Sequence, residues 1–326
     1  MSYSNDTISK AKQTLKKRKE KAEHSALVRK VEATAKIPKL AEYDEILSSA
    51  GLSVAKAIGM GADIEEHIRQ ISEINLSVQA KVRQLLKENG YPEDYLEIKY
   101  TCPKCSDTGF YGIYFCECYK NLLKEIALDN LASVSTSANC TFENFDLGYY
   151  PLPVDPDLGI SPRNRMTALL EYCKCYADDF DCCSESLYMH GATGLGKTHL
   201  SLAIANEVTK KGYQVIYDTA QNIFSSLEKE KFSYGNTFER ENEILNCDLL
   251  IIDDLGSEFI TNFTTSALYN IINTRINRSK PVIISTNLTE EELEAKYTQR
   301  VTSRIIGNYA SLLFVGKDIR QLKRMK

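Results

Sequence analysis

The chain has 326 residues, 43% hydrophobic and 26% charged, which suits about two domains with a sizeable core and is ordinary for a soluble globular protein. Its net charge of −4 is uneven: residues 1–40 hold eleven Lys or Arg against four Asp or Glu, so a basic arm precedes an acidic remainder. No stretch reaches the roughly 18 apolar residues of a membrane span and none reads as a signal peptide, so a cytoplasmic protein with no membrane partner is expected.

In that reducing compartment the ten cysteines read as metal ligands or buried small hydrophobes, not disulfides. Residues 8–36 set a thin apolar stripe, including Ile8, Leu15 and Val28, among many lysines, and predict a helix closed by Pro38. Three-and-four spacing of Ile46, Leu47, Ile64, Ile68, Ile71, Ile74, Val78, Val82, Leu85 and Leu86 predicts further amphipathic helices, punctuated by Gly51, Gly59 and Gly61. The first 98 residues are therefore expected to be all-helical.

Cys102, Cys105, Cys116 and Cys118 follow in a C-x2-C-x10-C-x-C pattern. Zn²⁺ takes four tetrahedral thiolate or imidazole ligands, so this cluster is expected to hold one zinc ion; a redox-active dithiol is the alternative. A helix is expected over 119–133, and the Pro- and Gly-rich stretch 146–162 reads as a linker or surface loop.

From Arg163 strands and helices alternate. Strands are expected at 187–190, 213–217, 249–252, 282–285 and 312–315, with helices at 164–177, 197–211, 220–246, 264–278 and 289–306. That alternation predicts an α/β fold with a parallel five-stranded sheet covered on both faces.

Residues 191–198 read GATGLGKT: Gly191, Ala192, Thr193, Gly194, Leu195, Gly196, Lys197 and Thr198. The glycines allow backbone N–H groups to turn inward on phosphate oxygens, Lys197 reaches the β- and γ-phosphates, and Thr198 offers its hydroxyl to Mg²⁺. The next helix points its positive end at the same anion. ATP with Mg²⁺ is the expected ligand pair. The apolar strand Leu249–Ile252 ends in Asp253, placed to hold Mg²⁺, and Asp254, placed to orient or deprotonate the attacking water. Glu258 is a weaker candidate base and reads as a solvated loop residue. Asn287, after the fourth strand, is expected to position water near the γ-phosphate. Arg300, Arg304 and Arg320 follow it; an arginine from a neighbouring subunit can stabilise charge in the transition state. Lys229, Lys231, Phe232 and Tyr234 mix charge with rings and form a candidate single-stranded DNA contact. His190 and His199 flank the phosphate loop, where packing is expected.

GATGLGKT, LLIIDDLGSE, ISTN and QRVTSRI, in this order, resemble bacterial replicative-helicase loaders of the DnaC/DnaI type, members of the AAA+ ATPases, and TFENFDLGYY (141–150) resembles the approach to their ATPase domain. The cysteine segment resembles the DnaI-like branch. The resemblance implies that Asn287 is sensor I, Arg304 the arginine finger, and Arg320 sensor II. It implies three domains: a helical helicase-interaction region (1–98), a zinc module with a linker helix (99–135), and an AAA+ ATPase domain without a full lid (136–326). The implied activity is ATP hydrolysis coupled to placing a hexameric replicative DNA helicase on single-stranded DNA, with self-association through the ATPase domain. A transposition-associated ATPase of the IstB type shares the same motifs, and an ATP-binding adaptor that does not hydrolyse is the non-enzymatic alternative.

Overall fold

The computed structural model describes residues 3–60, 64–134, 140–156, 159–232 and 238–324. It forms two compact units, one of residues 11–120 and one of residues 1–10 with 121–326. In the first lie most of α1 (Asn5–Lys36), then α2 (Lys39–Met60), α3 (Ile64–Glu88), and a short hairpin of β1 (Phe110–Tyr111) and β2 (Tyr114–Phe115). Ala33, Ile37, Leu40 and Leu86 form its small buried cluster, joined by Tyr91 and Tyr95. Pro38 does separate two helices, but Gly51 and Gly59 lie inside α2 rather than between helices. The cost of a helical glycine, about 1 kcal/mol against alanine, is within reach of a 22-residue helix packed on α3. Gly61 lies outside the described residues. The hairpin between the cysteine pairs was not foreseen, because two-residue strands leave no period to read.

The second unit continues from α4 (Glu117–Val134) through α5 (Pro162–Asp178), β3 (Ser186–His190), α6 (Lys197–Lys210), β4 (Val215–Thr219), α7 (Ala220–Phe232), α8 (Glu239–Asn246) and β5 (Leu249–Leu255). It ends with α9 (Asn262–Asn277), β6 (Val282–Thr286), α10 (Glu290–Tyr297), α11 (Gln299–Asn308), β7 (Tyr309–Leu313) and α12 (Ile319–Arg324). The sheet order is β4-β5-β6-β3-β7, and every pair is parallel. Strand residues alternate between two apolar layers, as a two-residue period requires. Leu187, Met189, Ile251 and Ile283 meet Met166, Leu170, Leu200 and Ile204 of α5 and α6. Tyr188, Leu250, Ile252 and Ile284 meet Phe224, Leu268, Ile272 and Ile305 of α7, α9 and α11.

Helix starts follow capping chemistry. Ser161 accepts the Asn164 N–H with Pro162 in the first turn, and capping boxes run from Thr261 to Thr264 and from Thr289 to Glu292. The last strand begins three residues earlier than expected. Tyr309–Leu313 pairs with β3, and the Phe314 N–H still reaches the His190 carbonyl. The expected single helical stretch 220–246 is two described helices, with residues 233–237, including Tyr234, outside the described set.

Candidate nucleotide-binding site

The C-terminal ends of β3, β5 and β6 open onto a cleft of about 510 Å³, a size typical of ligand sites. The phosphate loop links β3 to α6 along its floor. Gly191, Gly194 and Gly196 all have positive φ, at 135°, 78° and 92°. At Gly191 a Cβ would also lie 2.4 Å from the Phe314 carbonyl oxygen, so only glycine fits there. Leu195 is buried beneath the loop, while Ala192 and Thr193 are exposed.

Lys197 is buried, and its ammonium donates to the carbonyls of Gly191 and Ala192 at 2.6 and 2.8 Å and to Asn287 Oδ1 at 2.7 Å. Burial pushes its pKa down to about 8 despite the nearby Asp254 and Asp253. Asn287 Nδ2 in turn donates to Asp254 Oδ1 at 2.8 Å. One side chain thus touches both the phosphate lysine and the second acid. Thr198 Oγ1 donates to Asp253, 2.9 Å from Oδ2.

β5 carries an irregularity in its pairing with β6 between Ile252 and Leu255, and Asp254 there has φ 55°. A bulge of this kind re-aims side chains, and here it turns two consecutive acids toward one cleft instead of opposite faces. A hydroxyl and a carboxylate this close fit a hard divalent cation such as Mg²⁺.

The other end of the cleft is aromatic. Phe145 and Tyr150 stack at 5.8 Å, Tyr150 OH donates to the Leu195 carbonyl at 2.8 Å, and His199 meets Phe145 edge-on while bonding Thr141 O. Tyr149 lines the same end, and Lys323 sits over its ring. The stretch 146–162 is therefore more than a linker: its first residues brace the phosphate loop. Phe145, Tyr149 and Tyr150 were not assigned from sequence, though all three lie in TFENFDLGYY, whereas His199 packs beside the loop as expected.

Arg320 also lines the cleft, on the short helix α12. Arg304 does not. Its guanidinium lies over the Tyr269 ring at 4.6 Å and donates to Asn273 Oδ1 on α9 and to the Arg300 carbonyl on α11. Arg300 is exposed. Glu258 corrects an expectation: it is buried, accepting from the Tyr297 hydroxyl and the Gly256 N–H, so it fastens the loop after β5 and is not solvated. Lys229, Lys231 and Phe232 are exposed at the end of α7, with Lys231 also 5.1 Å over the Phe263 ring. His190 stacks on Tyr188 and bonds Ser311 Oγ.

The four cysteine sulfurs of the other unit lie within 4.8 Å of one another, with Cys102–Cys116 at 3.7 Å and Cys105–Cys118 at 3.4 Å. Tetrahedral zinc with Zn–S bonds of about 2.3 Å sets sulfurs about 3.8 Å apart, so the donors fit Zn²⁺. Buried Asp107 holds the first knuckle by accepting the Thr101 and Cys102 N–H groups, each at 2.9 Å. The Cys102 thiol, favoured by a backbone hydrogen bond at Cys105, is lowered to about 7, whereas burial raises Cys118.

Fold and loop together define a nucleotide-binding P-loop protein. Residues 177–310 match the family described as IstB-like ATP binding protein. The chain is 29% identical over 179 residues to the replicative helicase loader DnaC of Escherichia coli K12, covering 54% of this chain and 67% of that protein. It is 26% identical to the phage-like element PBSX protein XkdC of Bacillus subtilis, over 69% of this chain and 85% of that one. A crystal structure of the DnaC helicase loader matches at 26% identity with a TM-score of 0.43, covering 53% of this chain and 98% of that chain. The resemblance to a helicase loader thus stands on sequence, over about half of this chain.

Proposed function

We propose that this protein is an ATP-dependent loader that binds a hexameric replicative DNA helicase and helps place it on single-stranded DNA. The observation that carries the reading is the Lys197–Asn287–Asp254 chain. It ties the cation that would meet the γ-phosphate to the acid that would handle the attacking water. Arriving nucleotide competes for Lys197, so Asn287 and Asp254 register whether a γ-phosphate is present. That is the behaviour of a switch. DnaC supplies the precedent for what such a switch would control, since its name is that of a replicative helicase loader.

Gly191–Thr198 would cradle the phosphates, Thr198 and Asp253 would hold Mg²⁺, and the half-buried Tyr149 at the aromatic end would receive the base. Bound Mg²⁺ would supply charge neutralisation at the phosphates. Asp254 would orient or deprotonate the water, with Asn287 fixing its place. Arg304 does not line its own cleft, so as a finger it would act in a neighbouring copy, which requires self-association. Arg320 would act within the chain.

Residues 1–98 would form the helicase-interaction region, 99–135 the zinc module, and 136–326 the ATPase domain of a cytoplasmic protein. Among the described residues no helix is long and apolar enough to cross a membrane. The hairpin between the zinc ligands supports a protein partner: Tyr111, Ile113 and Tyr114 are 69%, 87% and 72% exposed, which costs free energy unless another surface covers them. No lysine or arginine lies between Cys105 and Tyr119, which disfavours phosphate as their target.

The test uses the full chain. ATP turnover is measured with and without single-stranded DNA, and co-migration with purified replicative helicase is measured at low and moderate salt. Turnover sensitive to Lys197→Ala, with a salt-resistant helicase complex weakened by Tyr111→Ser/Tyr114→Ser, is expected. Salt-sensitive duplex binding without a helicase complex would favour the transposition-type ATPase, and binding without turnover the adaptor.

A further inference from the structure

Asp253 is 4% exposed, so water cannot freely solvate its carboxylate, and its orientation depends on protein donors. Two come from strands on either side of β5. Tyr217 lies on the edge strand β4, in register with Ile251, and its hydroxyl donates to Asp253 Oδ2 at 2.8 Å. Ser285 lies on β6, and its hydroxyl donates to Asp253 Oδ1. The same serine oxygen accepts the Asp254 N–H at 2.9 Å. A hydroxyl that accepts from an N–H turns its own proton elsewhere, and the carboxylate is the acceptor within reach. Both side chains are nearly buried, at 6% and 1% exposed.

We infer that Tyr217 and Ser285, which line the cleft with Asp253, are positioning residues that clamp its carboxylate from two sides and aim it beside Thr198 for a divalent cation. The inference rests on the nucleotide-site reading above and goes beyond it, because neither residue belongs to a phosphate-loop or acidic motif. Neither needs to touch nucleotide. Each acts through the carboxylate, as the outer hydrogen-bond partners of metal ligands do. Ser285 has a second duty. Its bond to the Asp254 N–H helps hold the left-handed backbone at φ 55°, which aims the second acid. The two acids are thereby set by one hydroxyl, and a change at Ser285 disturbs both.

The discriminating variant is Tyr217→Phe, which keeps the ring and removes only the donor. A fluorescent ATP analogue is titrated into parent and variant without metal and across a Mg²⁺ series, and turnover is followed over the same series. Metal-free binding and the melting temperature should match the parent. The Mg²⁺ concentration giving half-maximal enhancement of binding should rise roughly tenfold, and kcat should fall by a similar factor with KM for ATP little changed. Ser285→Ala should show the same Mg²⁺ shift and a larger loss of kcat. Parental Mg²⁺ dependence in Tyr217→Phe overturns the inference, as does equal loss of binding with and without metal, which would mark a role in folding alone. A parent that binds nucleotide without hydrolysing it leaves the binding titration decisive. A parent that binds none overturns the nucleotide-site reading and the inference with it.

Discussion

Lys197 offers a prediction in which stability and binding move in opposite directions with pH. Burial lowers its pKa from the ordinary 10.5 to about 8. Between these values the unfolded chain holds more proton than the folded one, so the stability of nucleotide-free protein rises with pH across that window. Below about 8 the buried charge costs roughly 3 kcal/mol at full strength, and between pH 7 and 9.5 about 2 kcal/mol of it is relieved. ATP binding behaves in reverse. The phosphates need the charged lysine, so affinity should hold up to about pH 8 and then fall about tenfold per pH unit. The assays are denaturant unfolding and fluorescent-nucleotide titration at half-unit steps from pH 7 to 9.5. Lys197→Met serves as the control that cannot titrate, so the difference between parent and variant isolates this group from tyrosines and cysteines. An affinity that stays flat to pH 9.5, with no divergence in stability between parent and variant, would refute the claim that this ammonium is held at a desolvation cost.

Three further outcomes are expected. Asp254→Asn should keep nucleotide binding within a few-fold and slow hydrolysis at least a hundredfold, by the usual worth of a general base; single-turnover measurement checks it. Arg304→Ala should bind ATP as the parent does yet hydrolyse at least a thousandfold more slowly in the assembled state, and mixing it with Asp254→Asn chains should restore part of the activity. Protein purified without chelator should contain one zinc per chain by metal analysis, and Cys102→Ser should release it, unfolding the segment around 99–120 while nucleotide binding persists, since structural zinc contributes on the order of 10 kcal/mol.

The five-stranded sheet was legible because its strands are short apolar runs, and central strands buried on both faces must be so. β5 and β6 are almost wholly buried, and both were read within three residues of their ends. β7 was misplaced because Leu312–Val315 is as apolar as a strand, while pairing with β3 begins at Tyr309, directly after α11. The helices of the front were legible, and so was the break at Pro38, but not the continuity of α2 through its glycines. A glycine inside a helix costs little enough that tertiary packing overrides it, and Gly51 and Gly59 show this. The hairpin of β1 and β2 escaped because its strands are two residues each, although Gly112, at φ 60° between aromatic β-formers, is a two-residue hairpin turn signal.

The candidate site divides along the same line. What the phosphate end needs is a backbone turn, a cation and a hydroxyl, and a turn is made by neighbours in sequence; residues 191–198 therefore announce themselves. Asp253 and Asp254 are also adjacent, and the bulge that lets both face the cleft is a local event. The aromatic end and the clamp are different. Phe145 and Tyr150 lie more than forty residues from the loop they brace, and Tyr217 reaches Asp253 only because β4 and β5 pair in one register. A shift of that pairing by one residue would turn Tyr217 to the opposite face of the sheet. Such a residue has no signature, since a tyrosine on an edge strand reads as a β-former. Its role follows from the register, and the register follows from the two apolar layers that β4 and β5 share. The packing of the core thus fixes which hydroxyl meets the Asp253 carboxylate.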